Sequence, residues 1–122
     1  MFKLITTLPS LWVTLDVPMQ MTATDFVHAP ITLAIKQHNE AEFEALLTRL
    51  QEGTLTDRQL ASELVTDWAD VADASGIPLP FSPDAAAKLM TVPRLPSLIV
   101  RKFFDLRKED GAAKNAPIAP AA

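Results

Sequence analysis

Apolar and polar residues alternate in two short stretches near the beginning of the chain. Within residues 11–17 every odd-numbered residue is leucine or valine, and within residues 31–35 every odd-numbered residue is isoleucine or leucine. A period of two is typical of half-buried β-strands. The segment between them, Pro18 to Pro30, contains no tight-turn dipeptide. The pattern therefore predicts an antiparallel hairpin with a long loop.

From Asn39 onward the apolar period becomes helical. Asn39 and Glu42 are spaced as the two members of a capping box, which predicts the start of a helix. Its apolar positions follow at intervals of three and four, which places them on one face: Phe43, Leu46, Leu47 and Leu50. Gly53 is placed to end this helix in a left-handed conformation.

A second helix is predicted after Gly53. Thr56 and Gln59 repeat the capping-box spacing. Leu60, Leu64 and Trp68 then recur every four residues, so the pattern predicts a helix that runs through Trp68.

The rest of the chain predicts a loop, two further helices and a tail. Residues 73–80 contain Gly76, Pro78 and Pro80 and predict a loop. Ser82 followed by proline predicts the start of a short helix through Met90, and apolar spacing predicts a last helix over about residues 95–108. Residues 109–122 are rich in alanine and proline, which is typical of a flexible tail.

Together these elements predict an α+β fold that is mostly helical. A small N-terminal β-hairpin precedes about four helices in one domain, residues 1–108, and residues 109–122 form a flexible tail. The length of 122 residues suits one domain, and the 48% of hydrophobic residues suffices for a core.

Composition narrows the classes of function. The absence of cysteine excludes disulfides, thiolate zinc sites and cysteine nucleophiles, and suits a reducing cytoplasm. The net charge of −4 disfavours a nucleic-acid binder. No stretch approaches the ~20 apolar residues of a membrane span. Thr6, Thr7 and Pro9 interrupt the apolar run at the start, so no signal peptide is expected.

Residues with catalytic or metal-binding chemistry are sparse. His28 and His38 stand ten residues apart, a spacing that matches no ligand pattern. Asp67, Asp70 and Asp73 recur every third residue, but the following loop lacks the ligands of a calcium-binding EF-hand. These carboxylates fit a solvated face best, with a partner-facing acidic patch or a weak cation site as alternatives. Neither an enzyme nor a cofactor is expected.

Charge is segregated along the chain. Residues 40–73 contain nine acidic residues against two arginines, a net charge of −7, whereas residues 88–108 contain six basic residues against one aspartate, a net charge of +5. The two regions can pair within one molecule, or they can join copies head to tail into rings or spirals. Contact of the basic helix with nucleic acid is a third reading, but it lacks regularly placed stacking aromatic residues.

One segment carries a family resemblance. Residues 65–82 read VTDWADVADASGIPLPFS and are similar to the pattern W-x-x-V-x-D-x-x-G-x-P-x-P-F-S/T of the tail assembly chaperones of long-tailed bacteriophages. The matching residues include those of a structural motif: Trp68, Gly76, Pro78, Pro80, Phe81 and Ser82. The likeness covers about residues 26–108, and residues 1–25 are not matched. We expect Trp68 and Phe81 to belong to the core and to hold the loop between them, an exposed aromatic pair being the alternative.

The resemblance implies a function in phage assembly. Such chaperones are made in the cytoplasm of the infected host and are absent from the mature virion. They bind the tape measure protein, keep it soluble and recruit major tail subunits. Many self-associate, and many have a longer form, made by ribosomal frameshifting, that contacts the tail tube protein. Ala113-Lys114-Asn115 is compatible with the slippery codons GCA AAA AAC. A structural adaptor or connector protein retained in its assembly is the alternative function.

The last helix is the predicted partner-binding surface. We expect some of its apolar residues to be exposed, because the adjacent Phe103 and Phe104 cannot both face one core. The residues predicted to bind the tape measure protein are Leu98, Ile99, Phe103, Phe104, Arg101 and Arg107. The residues predicted to form an acidic self-association face are Glu63, Asp67 and Asp70.

Overall fold

The protein combines a three-stranded antiparallel sheet with four helices. The computed structural model describes residues 1–4 and 7–109. The elements are β1 (Leu11–Gln20), β2 (Phe26–Ile35), α1 (Glu40–Gln51), α2 (Asp57–Leu64), β3 (Val65–Ala69), α3 (Pro83–Leu89) and α4 (Leu95–Glu109). The sheet order is β1-β2-β3. With about 39% helix and 25% strand, the fold is α+β, and the prediction that it is mostly helical is wrong.

The hairpin is one reason for this difference. β1 and β2 pair antiparallel, as predicted, but they pair from Leu11 opposite Ile35 as far as Gln20 opposite Phe26. The long loop predicted over residues 18–30 is therefore only a turn at residues 21–25. The prediction ended the first strand at Val17 and began the second at Ile31, whereas Pro18 and Pro30 both lie inside the paired strands.

The two prolines occupy positions at which a strand needs no donor toward its partner. Pro18 stands opposite His28, and Pro30 stands opposite Asp16. Both prolines belong to the same alternating set of residues as Lys36, which directly follows β2. The Lys36 N–H points away from β1 and donates to the Leu64 carbonyl at 2.8 Å. Residues of this set point their backbone groups out of the pair. Proline is tolerated there because its missing N–H removes no bond of the hairpin.

The third strand is the second reason. The predicted helix over Trp68 ends at Leu64, and Val65 is already extended, with φ −81° and ψ 120°. The β-branched Val65 and Thr66 favour a strand, and Trp68 lies opposite Leu33 of β2. The four-residue spacing was misleading because a strand residue happens to continue the apolar stripe of the helix.

The predicted helix boundaries are otherwise confirmed. Asn39 and Glu42 form a reciprocal capping box, with hydrogen bonds of 2.8 and 3.0 Å, and Gly53 after α1 is left-handed, with φ +74°. Thr56 with Gln59 caps α2 in the same way. Ser82 caps α3, with proline at the first helical turn. The predicted tail lies outside the described residues, apart from Glu109 at the end of α4.

The helices cover one face of the sheet. In β1 Leu15 and Val17 are buried, whereas the alternating Thr14 and Asp16 are exposed. The fully buried side chains at the centre come from both layers: Leu33, Ile35, Leu60, Leu64, Leu95 and Ile99. Burying each such side chain contributes about 1.5–3 kcal/mol to the hydrophobic stabilisation. The other face of the sheet is open, as antiparallel sheets allow.

Candidate functional site

The distal end of the hairpin extends beyond the helices, and residues 18–27 are called the hairpin tip below. Leu15 and Val17 are buried, but Met19, the next residue of the same alternation, is 44% exposed. Val27 stands opposite Met19 and is 53% exposed. Since residues two apart in a strand share a face, the exposure rises because the helical layer ends here.

The turn that closes the hairpin tip is held by its own backbone. The N–H groups of Met21 and Thr22 donate to the Asp25 carbonyl at 2.9 and 3.3 Å, and the Asp25 N–H donates to the Thr22 hydroxyl at 3.1 Å. Met21 is 65% exposed and Phe26 is 44% exposed. Four large apolar side chains are thus exposed within nine residues, a clustering that marks interaction surfaces.

A groove lies beside the hairpin tip. It has a volume of about 420 Å³ and runs between residues 18–22 and residues 92–94, which connect α3 to α4. This tip groove falls in the size range of ligand pockets, ~300–1,000 Å³. Its walls are mostly apolar, with Met19 and Met21 on one side and Val92 and Pro93 on the other. Methionine side chains adapt to varied apolar partners.

Arg94 is the only charged residue among those that line the tip groove. Its backbone is left-handed, with φ +71°, a region that disfavours any residue with a Cβ. Its guanidinium carbon lies 5.2 Å from the centre of the Phe26 ring. Within the described ranges no carboxylate lies within 4.0 Å of it. The rim of the groove is therefore positive.

The apolar residues predicted to bind a partner lie mainly in the core. Ile99 and Phe103 are buried, and Leu98 and Phe104 are partly buried against the core. The adjacent phenylalanines differ in exposure, as expected, but the Phe104 ring contacts Phe43 with centroids 5.9 Å apart. Over its described side chains the last helix therefore presents no continuous exposed apolar face, because the apolar face of α4 packs against the rest of the molecule.

Arg107 and Arg101, the predicted basic residues, differ in their surroundings. Arg107 donates to the His38 carbonyl at 3.0 Å and to the Glu40 carboxylate at 3.1 Å, and its guanidinium lies 3.8 Å from the centre of the Phe43 ring. It fixes the end of α4 to the start of α1. Arg101 is exposed and forms no ion pair with the described residues.

The predicted acidic face is likewise divided. Glu63 forms two hydrogen bonds with Arg49, at 3.0 and 2.9 Å, and these bonds lower the pKa of the Glu63 carboxyl. Asp67 accepts the Trp68 N–H at 2.8 Å, and Asp70 is exposed in a left-handed conformation, with φ +58°. Glu63 therefore has an internal partner, whereas the side chains of Asp67 and Asp70 remain exposed.

Residues 70–82, called the Trp68 loop below, are built around a buried indole. Trp68 is only 7% exposed. Its Nε1–H donates to the Leu79 carbonyl at 2.8 Å, and its ring meets the Phe81 ring edge-on, with centroids 5.1 Å apart. The expectation that Trp68 belongs to the core is confirmed, and Phe81 packs against the core while partly buried.

Backbone contacts complete the Trp68 loop. The Asp73 carboxylate accepts the N–H groups of Ser75 and Ile77 at 2.8 and 3.0 Å. Gly76 has φ +84°, a conformation that favours glycine. Pro78 bridges to Ala72. The matched residues of this segment thus serve the loop itself; an open cavity of about 760 Å³ runs along its surface.

A third cavity lies at the opposite end of β2 from the hairpin tip. It measures about 530 Å³ and is lined by Lys36, His38, Arg107 and their neighbours. Among the described residues the buried Nδ1 of His38 has no hydrogen-bond partner. Burial, reinforced by the charge of Lys36, lowers the pKa of His38. Its surroundings therefore favour the neutral form of the imidazole, and its ring packs edge-on against Phe103.

Among the described residues the histidines and carboxylates do not cluster into a metal site. His28 lies near the hairpin tip, 2.9 Å from the Asp16 carboxylate, and His38 lies at the far end of β2. Within residues 1–4 and 7–109 no group of three histidines and carboxylates is placed to hold a metal ion. Over the same residues, each helix is too short or too polar to cross a membrane.

The chain was compared with models of protein families, with curated proteins and with solved structures. None of them matches.

Sequence reasoning missed the hairpin tip. Met19 continues the odd-numbered alternation of β1, and this was the signal that could have extended the strand. Pro18 and Pro30 masked that signal. Phe26 and Val27 belong to the predicted loop, in which an apolar residue does not by itself indicate a binding surface. Arg94 is part of no sequence pattern that would have indicated its position beside the hairpin tip.

Proposed function

We propose that the protein is an assembly chaperone of the phage-tail type. It binds the tape measure protein, keeps it soluble and helps to recruit major tail subunits, and it is absent from the mature virion. The observation that carries the proposal is the apolar hairpin tip, where Met19, Met21, Phe26 and Val27 are exposed beside a groove. The resemblance of residues 65–82 to tail assembly chaperones supports the same class.

The chemistry of the hairpin tip suits stoichiometric binding. A chaperone for a long helical protein must cover apolar side chains of varied shape, and methionine adapts to such surfaces. The tip is held by hydrogen bonds between its own backbone groups, so it is exposed without depending on a partner for its conformation. The partner-binding surface that we propose is therefore the hairpin tip, and not the apolar face of α4 that the sequence analysis favoured.

Co-expression with the tape measure protein that is the proposed partner tests the proposal. We expect the wild-type chain to raise the soluble fraction of the tape measure protein several-fold. The double variant Met21→Ser, Val27→Thr should lose most of this effect, because it removes apolar contact area. Ile77→Ser is the matched control, since Ile77 is 61% exposed but does not line the tip groove.

Three results would contradict parts of the proposal. A tape measure protein that is equally insoluble with and without the wild-type chain would reject the chaperone function. Detection of the chain in purified virions by mass spectrometry would indicate an adaptor that stays in its assembly. A double variant as effective as the wild-type chain would reject the hairpin tip as the binding surface.

Self-association is a second part of the proposal. Asp67 and Asp70 of the acidic region and Arg101 of the basic region are exposed and form no ion pairs within the described residues. They are available to join copies head to tail. Light scattering should then give a mass that falls toward the monomer as salt rises from about 0.05 to 1 M, because salt screens exposed charges. A mass independent of salt would contradict charge-driven association.

A further inference from the structure

The tip groove combines apolar walls with one positive group. Met19 and Met21 face Val92 and Pro93 across it, and Arg94 is its only charged lining residue. The fifteen-residue helix α4 begins directly after Arg94 and has no acidic residue in its first turn. The positive end of its dipole therefore adds to the charge of Arg94. The charge of this rim is complementary to a carboxylate.

The backbone of Arg94 has a conformation that is unusual for an arginine. A left-handed residue between two helices is usually glycine or asparagine, because a Cβ is strained there. The chain instead places an arginine at φ +71° and rests it over Phe26. Packing over the ring restrains the guanidinium at the rim of the groove. A residue kept in a strained conformation is a reason to look for a function of its side chain.

The strand edges decide which kind of segment fits. An extended peptide would bind by adding a strand to an edge of the hairpin tip. Pro18 lies on the free edge of β1, and Pro30 lies on the part of β2 that β3 does not reach. Each lacks an outward N–H, so each edge has a missing donor. A helix satisfies its own backbone hydrogen bonds and needs only side-chain contacts.

We infer that the tip groove binds an amphipathic helix of the partner that carries a glutamate or aspartate beside its apolar face, and that this carboxylate pairs with Arg94. This inference rests on the proposed function and names the chemistry of the tape measure segment that is recognised. Arg94 selects the segment by its charge, while the apolar walls provide the contact area.

Methionine methyl resonances report where a peptide binds. The chain has four methionines; Met19 and Met21 line the tip groove, whereas Met90 is 3% exposed and buried in the core. The full chain, labelled at the methionine methyl groups, is titrated with overlapping 25-residue peptides that tile the tape measure protein. We expect at least one acidic amphipathic peptide to shift the signals of Met19 and Met21 and to leave that of Met90 unchanged.

A double-mutant cycle then tests the ion pair. Arg94→Gln should weaken the binding of the acidic peptide about tenfold, and should leave unchanged the affinity for the same peptide with its carboxylate replaced by the amide. Arg94→Lys should restore part of the loss. Lys108→Gln is the matched control, because Lys108 is an exposed basic residue of α4 that does not line the groove.

The outcomes separate the inference from the proposed function. If no peptide shifts Met19 and Met21 while the wild-type chain still solubilises the tape measure protein, the inference is wrong and the proposed function stands. Equal effects of Arg94→Gln on both peptides would also overturn the inference. If the tape measure protein is neither bound nor solubilised, both are wrong.

Discussion

The Trp68 loop and the hairpin tip treat their aromatic and apolar residues in opposite ways. At the Trp68 loop the indole is buried, hydrogen-bonded to the Leu79 carbonyl and packed edge-on against Phe81. In the hairpin tip Met21 and Phe26 are exposed, and the described residues leave the groove beside them open. The segment that carries the family resemblance thus uses its aromatic residues for internal contacts, whereas the hairpin tip exposes its large apolar side chains. Residues that form a recognisable sequence pattern need not be those that form an exposed apolar surface.

The largest expected effect is the replacement of Trp68. Trp68→Ala should lower the free energy of unfolding by about 3–5 kcal/mol, because it leaves a cavity and an unpaired Leu79 carbonyl. The chain offers a matched control in Trp12, which is 54% exposed, and Trp12→Ala should cost about 1 kcal/mol or less. Urea unfolding followed by circular dichroism measures both. Equal losses would break the contrast between a buried and an exposed aromatic residue.

The next effect concerns Asp73. Asp73→Ala should lower the free energy of unfolding by about 1–2 kcal/mol, since the N–H groups of Ser75 and Ile77 lose their acceptor. Asp73→Asn retains a side-chain oxygen and should recover most of the loss. Thermal unfolding of the three proteins at one pH measures the difference. An asparagine variant as unstable as the alanine variant would show that the charge, and not the acceptor, holds the loop.

Arg94→Gly, unlike the preceding variants, should raise the free energy of unfolding. Relief of the left-handed strain should raise the free energy of unfolding by about 1 kcal/mol, partly offset by the loss of the contact with Phe26, worth about 0.5 kcal/mol. Urea unfolding should therefore show a small gain in stability, together with weaker peptide binding. A clear loss of stability would mean that the Arg94 side chain stabilises the fold. Arg94 would then resemble the buried residues of the Trp68 loop and not an exposed residue of a binding surface.

The smallest expected effect is that of the double variant Met21→Ser, Val27→Thr on stability. Both side chains are more than half exposed, so the free energy of unfolding should change by about 0.5 kcal/mol or less. The same urea titration measures it beside the binding assay. A loss comparable to that of Trp68→Ala would place the hairpin tip with the core, and would break the comparison altogether.

Local signals predicted much of the fold. The capping boxes at Asn39 and Thr56 and the serine-proline start of α3 placed three helix starts correctly, because a cap is decided by residues within one turn. The third strand was missed because its burial depends on β2, more than thirty residues away in sequence. The length of the hairpin was not predicted. A proline in the sequence shows that a backbone N–H is missing, but it does not show whether a strand needs that N–H for pairing at that position.

The candidate site was less predictable than the fold. The side chains of the hairpin tip are exposed because the helical layer ends before it. The sequence of β1 does not show how far the helices extend along the strand. The burial of Ile99 and Phe103 depends in turn on the packing of α4 against α2 and the sheet. An apolar face on a helix shows that something covers it, but whether that is the same molecule or another is decided by tertiary contacts.

The clamp formed by Arg107 has a consequence for the geometry of assembly. It fixes the end of α4 to the start of α1, while the beginning of α4 lies beside the tip groove. A helix of fifteen residues spans about 22 Å. Residue 109, the last that the structure describes, therefore lies about that far from the groove, at the opposite end of α4. The two ends of α4 thus present separate surfaces about a helix length apart, so a molecule bound at one end would leave the other end uncovered.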